Sequence, residues 1–390
     1  MSHSQASPHA RVSAPQPPRP LRVLHLTGTL DRGGIETWLI NLLSRVPRGE
    51  VAMDLLVASP DPRPGDYAAR ARELGAQVFV GPPTSNPLAF ALFWLRTLRR
   101  GGPYDVVHSH IHHFGGLALW LARLAGVPVR ISTSHSDTRE GDSQATNGRY
   151  AYLTLMRMAL SAGVTHRLAV SSEAAAALYG PDWARAGARL VTLGIDLDGV
   201  RTPVDAQHLR ASLGLQAGVP VIGHVGQFRA QKNHLFLLEI FAAYLERCGP
   251  AQLVLVGDGP ERQAIEARVQ ALGLTGSVHL LGSRPDVVRL LQAMDVFVFP
   301  SLFEGLSLAL VEAQVAGLPC VVSDAVSGET RLKGAAYLSL PLDAAPVLWA
   351  DAVSRALGLG RPVPDASAFD ISERAAELMD DYRQAVGGRP

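Results

Sequence analysis

Short apolar runs alternate with helix-patterned segments along almost the whole chain, and no other feature restricts the fold as much. LRVLHLT (21–27), VAMDLLVAS, AQVFVG, DVVHSH and VRISTSH read as strands, with IETWLINLLSRV, PLAFALFWLRTLRR and GGLALWLARLAG as helices between them. Strands that are apolar on both faces and joined through helices predict a parallel, doubly wound sheet, because parallel neighbours need a crossover connection. After TPVDAQHLRASLGLQAG (202–218) the rhythm restarts. VPVIGHVG, AQLVLVG, VHLLG, VFVFPS and PCVVSD now alternate with HLFLLEIFAAYLERC, ERQAIEARVQAL, DVVRLLQAM and an apolar helix between 306 and 318. The expectation is an α/β protein of two Rossmann-like domains facing each other across a cleft. A chain of 390 residues is long enough for two cores. Residues 1–19, rich in Pro, Ser and Ala, read as a disordered tail. Residues 20–200 read as the first domain, 201–218 as a linker, 219–370 as the second domain and 371–390 as a final helix with a polar face.

Composition narrows the classes. The net charge is +1, so nothing global points to nucleic acid. Residues 1–200 hold 20 Arg against 15 acidic residues (+5), and 201–390 hold 16 Lys or Arg against 20 (−4). That asymmetry fits a first half facing something anionic, or plain variation between two solvated surfaces. The two cysteines, Cys248 and Cys320, form no disulfide or metal spacing, which suits a reducing, cytoplasmic setting. The N-terminus lacks a secretory h-region, and no apolar run reaches the roughly 18 to 20 residues of a membrane span.

The loops exclude some chemistry. GTLDRGGIE is not GxGxxG, and in VGDGPER Arg262 stands where the third glycine of a dinucleotide site belongs. There is no GK[ST]. One DxD string, Asp196-Leu-Asp198, lies in the run into the linker and reads more simply as polar linker residues.

Other loops suit an anion. Gly33 and Gly34 precede a helix, where backbone N–H groups can approach a phosphate; a plain tight turn is the alternative. Arg229 and Lys232 follow the strand ending at Gly226, and Lys232 is one of only two lysines beside 34 arginines. The pair suits a diphosphate, or is solvated loop charge. Glu304, Gly305, Leu306 and Ser307 form the entry to the apolar helix, with N–H groups free at its start. Glu312 lies two turns further on, about 12 Å along the axis. A buried carboxylate needs a partner: a ligand diol, which its two oxygens can accept, or an internal cation.

Taken together, the E-x7-E pair Glu304/Glu312, the Gly33-Gly34-Ile35-Glu36 loop, HSH at 108–110 and QKN at 231–233 resemble the family 4 retaining glycosyltransferases of GT-B fold, in their bacterial exopolysaccharide and capsule subset. The resemblance spans residues 21 to 385. It implies Gly33, Gly34 and Lys232 against a donor diphosphate, His110 and Glu304 at the transferred sugar, the N–H groups of Gly305, Leu306 and Ser307 on sugar or phosphate, Glu312 on the ribose, and Arg284 in a loop bordering the base. The last helix would cross back to the first domain. One position departs: the family pattern has arginine where this chain has Gln227, and Arg229 would substitute for it.

The implied reaction is sugar transfer from a nucleoside diphosphate sugar, by family habit UDP-linked, to a hydroxyl of a saccharide or lipid-linked acceptor, with retained configuration. No cofactor and no metal are implied. His112, His113, His135 and Arg139 are acceptor-side candidates on the first domain. PLAFALFWLRTLRR (87–100) could rest on an anionic membrane at the inner face of the plasma membrane, or be a core helix with a basic end. A sugar-nucleotide 2-epimerase and a non-catalytic nucleotide-sugar-binding scaffold are the alternatives.

Overall fold

A computed structural model describes residues 19–139 and 147–388. Residues 1–18 of the predicted tail lie outside them. Arg19 is described, and it does not behave as tail: its guanidinium holds Asp105 through two bonds of 2.8 and 2.6 Å.

Two parallel sheets form. The first contains β1 (Leu21–Thr27), β2 (Val51–Ala58), β3 (Val78–Gly81), β4 (Val106–Ser109), β5 (Val129–Ser134), β6 (His166–Ala169) and β7 (Ala188–Leu190) in the order 3-2-1-4-5-6-7. The second contains β8 (Val221–Val225), β9 (Gln252–Val256), β10 (Val278–Leu280), β11 (Val296–Phe299), β12 (Cys320–Ser323) and β13 (Tyr337–Leu340) in the order 10-9-8-11-12-13. Each order reverses once, between β1 and β4 and between β8 and β11. At such a switch point the flanking loops leave in opposite directions and open a crevice at the strand ends.

Side-chain alternation divides each sheet between two cores. On the first sheet Leu24, Leu26, Leu56 and Val107 face a layer of three helices, Pro87–Gly101, Gly115–Leu124 and Asn147–Gly163. Val23, Met53, Leu55 and Val106 face the helix Gly34–Arg45 and the final helix Ile371–Gly387. Indole burial is large on both domains: Trp94 and Trp349 are fully enclosed.

The chain passes between the domains twice, side by side. Ile195 N–H donates to the Phe369 carbonyl and Ile371 N–H to the Ile195 carbonyl, at 2.8 and 3.1 Å. The final helix then lies on the first domain, where Asp381 pairs with Arg189 and Arg383 with Glu50. The helix starting this crossing is capped by Asp370, whose carboxylate accepts from Ser372 N–H.

Several elements differ from the sequence reading. The apolar helix expected between 306 and 318 is only Leu308–Val315, because Gly317 adopts φ +77 just past its end. The 202–218 stretch is not wholly a linker, since Ala206–Ser212 is helical with Asp205 as its cap. Strands β7 and β13 carry no strong apolar pattern and sit at the sheet edges, where half-exposure blurs it.

Candidate active site in the interdomain cleft

Both switch points carry the polar residues singled out above. The loop after β1 leads to Gly33 and Gly34, and β4 ends in His108–His110. The loop after β8 carries Arg229 and Lys232, and the loop after β11 carries Glu304 to Ser307.

The two domains meet through glycines. A Cβ on Gly305 would stand 2.6 Å from the carbonyl oxygen of His135, on the opposite domain. A Cβ on Gly33 would stand 2.4 Å from the Glu36 carboxylate and 3.2 Å from the Gln227 amide. At Gly305 the obstacle is backbone, so only a bare backbone allows the approach; at Gly33 the Glu36 and Gln227 side chains would have to turn aside. Gly34 faces open space, with no atom within 4 Å of where its Cβ would be.

Lys232 and Glu304 pair across the second switch point, Nζ to Oε1 at 2.5 Å, with side-chain exposures of 16% and 9%. The ammonium also stands 4.8 Å from the centre of the Phe299 ring. Glu304 is therefore not an unsatisfied carboxylate waiting for a sugar. It has an internal cation, the same lysine assigned to the diphosphate.

Glu312 is different. Among the described residues it has no ion-pair or hydrogen-bond partner, so the internal salt bridge considered from sequence is absent. Burial among the apolar side chains around it pushes its carboxyl up to about 7. Glu36, across the cleft on the first domain, is also pushed up to about 7 by burial, against the opposing pull of Arg229. Arg229 thus faces the cleft electrostatically from the loop where Gln227 replaces the usual arginine. Both glutamates act on the Tyr67 hydroxyl, whose own pKa is raised chiefly by burial. Glu36 was the residue the sequence reading quoted but gave no role; the signal was its place one residue after Gly33-Gly34-Ile35.

The helix Leu308–Val315 starts at Ser307, which makes no side-chain cap, so its first N–H groups have no side-chain acceptor. Ser307 is buried and Leu306 half-buried at this start. Arg284 is tied to Asp286 through bonds of 2.8 and 2.7 Å after the turn at Gly282.

The first switch point holds a hydrogen-bonded imidazole cluster. Parallel pairing sets His25 of β1 beside His108 of β4. His25 Nδ1 lies 3.0 Å from His110 Nε2, and His110 Nδ1 lies 2.9 Å from His135 Nε2. His108 places Nδ1 at 2.6 Å from the Tyr382 hydroxyl and Nε2 at 2.6 Å from Thr133 Oγ1. Burial holds His25 and His135 at about 3, and His108 and His110 well below the usual histidine range, so all four are neutral at pH 7. His110 has both ring nitrogens committed to other histidines. It can meet a sugar through a nitrogen only by exchanging one of those bonds. His25, His108 and His110 could in principle gather around a metal ion, with ligand atoms within 4.8 Å of one another. Yet five of their six nitrogens already have protein partners, His25 Nε2 being the exception, which suits a satisfied network better than an ion site.

The remaining acceptor-side candidates separate. His112, at φ +44, and His113 stack edge to face at 4.3 Å in the turn after β4, close to the imidazole cluster. Arg139 instead holds Asp137 at 2.6 Å and lines a recess beside the helix Asn147–Gly163.

The geometry has parallels. Residues 32–198 match the family described as Glycosyltransferase Family 4, and 219–358 match Glycosyl transferases group 1. EpsF of Bacillus subtilis (strain 168), named as a glycosyltransferase, is 35% identical over 371 residues, covering 94% of each chain. A UDP-Gal:alpha-D-GlcNAc-diphosphoundecaprenol alpha-1,3-galactosyltransferase of Escherichia coli is 32% identical over 242 residues, covering 60% of this chain and 61% of its own. Anabaena HepE, solved with UDP-glucose, superposes with a TM-score of 0.75 at 20% identity, over 93% of this chain and 100% of that one. Two Rossmann-like sheets meeting through bare glycines, with their polar loops at both switch points, thus coincide with a family match over both halves: the chain belongs to the family 4 glycosyltransferases, of GT-B fold.

Proposed function

We propose that this chain moves a sugar from a UDP-sugar to a hydroxyl of a saccharide or lipid-linked saccharide during polysaccharide assembly, with retained configuration and without a metal ion. The observation that carries the reading is Glu312, a desolvated carboxylate facing the cleft without an internal partner. Two ribose hydroxyls would supply the hydrogen bonds it lacks and favour its charged form. The relatives support the donor class: one is named for UDP-Gal and a diphosphoundecaprenol acceptor, and HepE was solved with UDP-glucose.

In the transition state the sugar becomes oxocarbenium-like and negative charge develops on the departing diphosphate. Lys232, Arg229, the N–H groups of Gly305 to Ser307 and the uncapped start of the helix Leu308–Val315 would stabilise that charge. To do so, Lys232 turns from Glu304 toward the diphosphate, and Glu304 is released to hold a sugar hydroxyl. The leaving phosphate takes the acceptor proton on the same face. The neutral imidazoles then act by position, with His110 as part of the wall behind the sugar. Glu36 fixes the Gly33-Gly34 backbone against the diphosphate. Arg284 borders the base.

The test is thermal stability against UDP, GDP, ADP and CMP with EDTA present, beside a Glu312→Ala variant. A ligand at 100 times its Kd adds about 2.7 kcal/mol. UDP should shift the wild type and not the variant. No shift with any nucleotide would remove the donor reading, and a shift without turnover would favour the nucleotide-sugar-binding scaffold. Nucleotide release with a transferred sugar of unchanged anomeric form separates the enzyme from an epimerase, which would alter the donor with no acceptor present.

A further inference from the structure

We propose that His224, inside the second domain, is a positioning residue for sugar transfer: its Nε2 accepts a hydrogen bond from the Lys232 ammonium once that ammonium has left Glu304 for the diphosphate. The proposal rests on the donor reading above and adds a residue to it. His224 lies on β8, just before the loop that carries Arg229 and Lys232, and it is fully buried. Its Nδ1 lies 2.9 Å from the Val298 carbonyl oxygen on β11. A carbonyl only accepts, so Nδ1 carries the ring proton. Burial holds the imidazole well below the usual histidine range, so it carries no second proton at neutral pH. Nε2 is therefore a bare acceptor, and among the described residues nothing donates to it. Most buried acceptors in a folded protein are satisfied, because their lost hydration is otherwise uncompensated.

The neighbour able to supply the bond is Lys232. A Cβ on Gly226 would stand 3.1 Å from His224 Nε2 and 3.3 Å from both Cδ and Cε of Lys232. The bare glycine thus lets the ring and the lysine stem lie against the same spot. Phe299 closes the group, its ring stacked on His224 at 5.4 Å and 4.8 Å from the ammonium. In the ligand-free protein Nζ is drawn to Glu304 Oε1. An ammonium has three donors, and Glu304 takes one. When Glu304 turns to the sugar, one donor passes to the diphosphate and another meets Nε2. A neutral acceptor behind the ammonium then keeps its charge on the leaving group. His234 is the rival donor. It opens the helix His234–Cys248, is also buried, and has no partner at either ring nitrogen among the described residues. Its ring meets His224 edge to face at 4.8 Å, yet neither of its nitrogens bonds Nε2. The Lys232 charge acts on both rings, which sets the ammonium beside the pair.

The experiment is calorimetry of UDP binding to the full chain, with substitutions that separate the two ring nitrogens. His224→Asn keeps an amide N–H where Nδ1 stood and removes the acceptor at Nε2. His224→Gln reaches as far as Nε2 and restores an acceptor oxygen there. A hydrogen bond to a charged group is worth about tenfold or more in an equilibrium or a rate. His224→Asn should therefore weaken UDP binding about tenfold and lower kcat/KM for the donor about 10- to 100-fold. His224→Gln should stay close to the wild type. In a Lys232→Ala background His224→Asn should cost nothing further, because the residue acts through the ammonium. His234→Phe, a like loss in the adjoining ring, should show no coupling to Lys232. Nitrogen-15 spectra of labelled histidines add a reading that leaves His224 intact: UDP should move its Nε2 signal toward the protonated range in the wild type and not in Lys232→Ala. Equal losses for Asn and Gln, a loss that persists without Lys232, coupling of His234 to Lys232 as strong as that of His224, or an unmoved Nε2 signal in the UDP-bound protein would overturn the proposal. A wild type that binds no UDP would overturn the donor reading first and this proposal with it. Melting curves establish that each variant is folded, and the spectra decide alone should His224→Asn not fold.

Discussion

Lys232 Nζ and Glu304 Oε1 are 2.5 Å apart, one in each of the loops that follow the two strands flanking the second sheet's switch point. The pair neutralises a lysine that a diphosphate would otherwise attract, so donor binding must compete with Glu304. Removing that competitor's charge should release the ammonium. Glu304→Gln is expected to bind UDP on the order of tenfold more tightly, since a unit charge at this range is worth several kcal/mol before solvent screening. Turnover should fall at least tenfold, because the same residue is assigned to the sugar. Calorimetry of UDP binding beside steady-state kinetics checks both. Weaker UDP binding in the variant would mean that Glu304 supports the diphosphate site rather than guarding it.

The two glutamates facing the cleft give a pH signature. Glu312 and Glu36 are pushed from 4.5 to about 7 by burial, so the folded protein keeps their protons over a range where the unfolded chain has lost them. Wherever the folded state binds more protons, stability falls as pH rises. The ligand-free protein should therefore lose stability between about pH 4.5 and pH 7 from these groups, and the loss should level off above 7. For Glu312 the full shift corresponds to about 3 kcal/mol, reduced to about 2 by water entering the cleft. Glu312→Gln should be the more stable protein at pH 8 and no more stable at pH 4.5. Denaturant melts at the two pH values measure the difference. UDP should erase it in the wild type by bonding the charged carboxylate.

Gly305 has its own test. A methyl group there would stand 2.6 Å from the His135 carbonyl, well inside contact distance, and that obstacle is backbone on the other domain. Neither side can yield by a rotamer change. Gly305→Ala should hold the cleft ajar, lowering kcat/KM by 10- to 100-fold while costing only about 1–3 kcal/mol of stability. Small-angle scattering with UDP present should show a larger radius of gyration than the wild type. Normal activity would mean that catalysis does not need this approach.

Much of this architecture is legible in the chain because strands buried on both faces leave continuous apolar runs, as in VFVFPS, and the helices between them keep their period. Edge strands β7 and β13 are half-solvated and leave no such mark. The site was legible where chemistry is unusual for its surroundings: a glutamate at 312 inside apolar residues, a rare lysine at 232. It was not legible where meaning depends on pairing across the fold. Nothing local to Glu304 announces Lys232 as its partner, 72 positions away. Nor does HSH reveal that β1 brings His25 alongside, or that His110 spends both nitrogens on other histidines. Those facts depend on strand register, which single-chain periodicity does not specify.

The longest-range of those pairings can be cut by one oxygen atom. Tyr382, on the final helix, is fully buried and its hydroxyl lies 2.6 Å from His108 Nδ1, 274 positions away. Neutral His108 has one donor and one acceptor nitrogen, and two hydroxyls satisfy them. Tyr382→Phe keeps the ring and its packing but leaves one imidazole nitrogen buried without a partner, at a cost of about 1–3 kcal/mol. That nitrogen adjoins the His25–His110–His135 chain, so the loss should extend beyond the helix. The expected result is a lower melting temperature together with faster amide exchange at Ile371–Gly387, since the helix loses its deepest polar anchor. Activity should fall severalfold with UDP affinity largely kept, because the donor loops on the second sheet are untouched. If the melting temperature is unchanged, the hydroxyl is dispensable and the apolar contacts of Leu378 and Met379 alone hold the crossing helix in place.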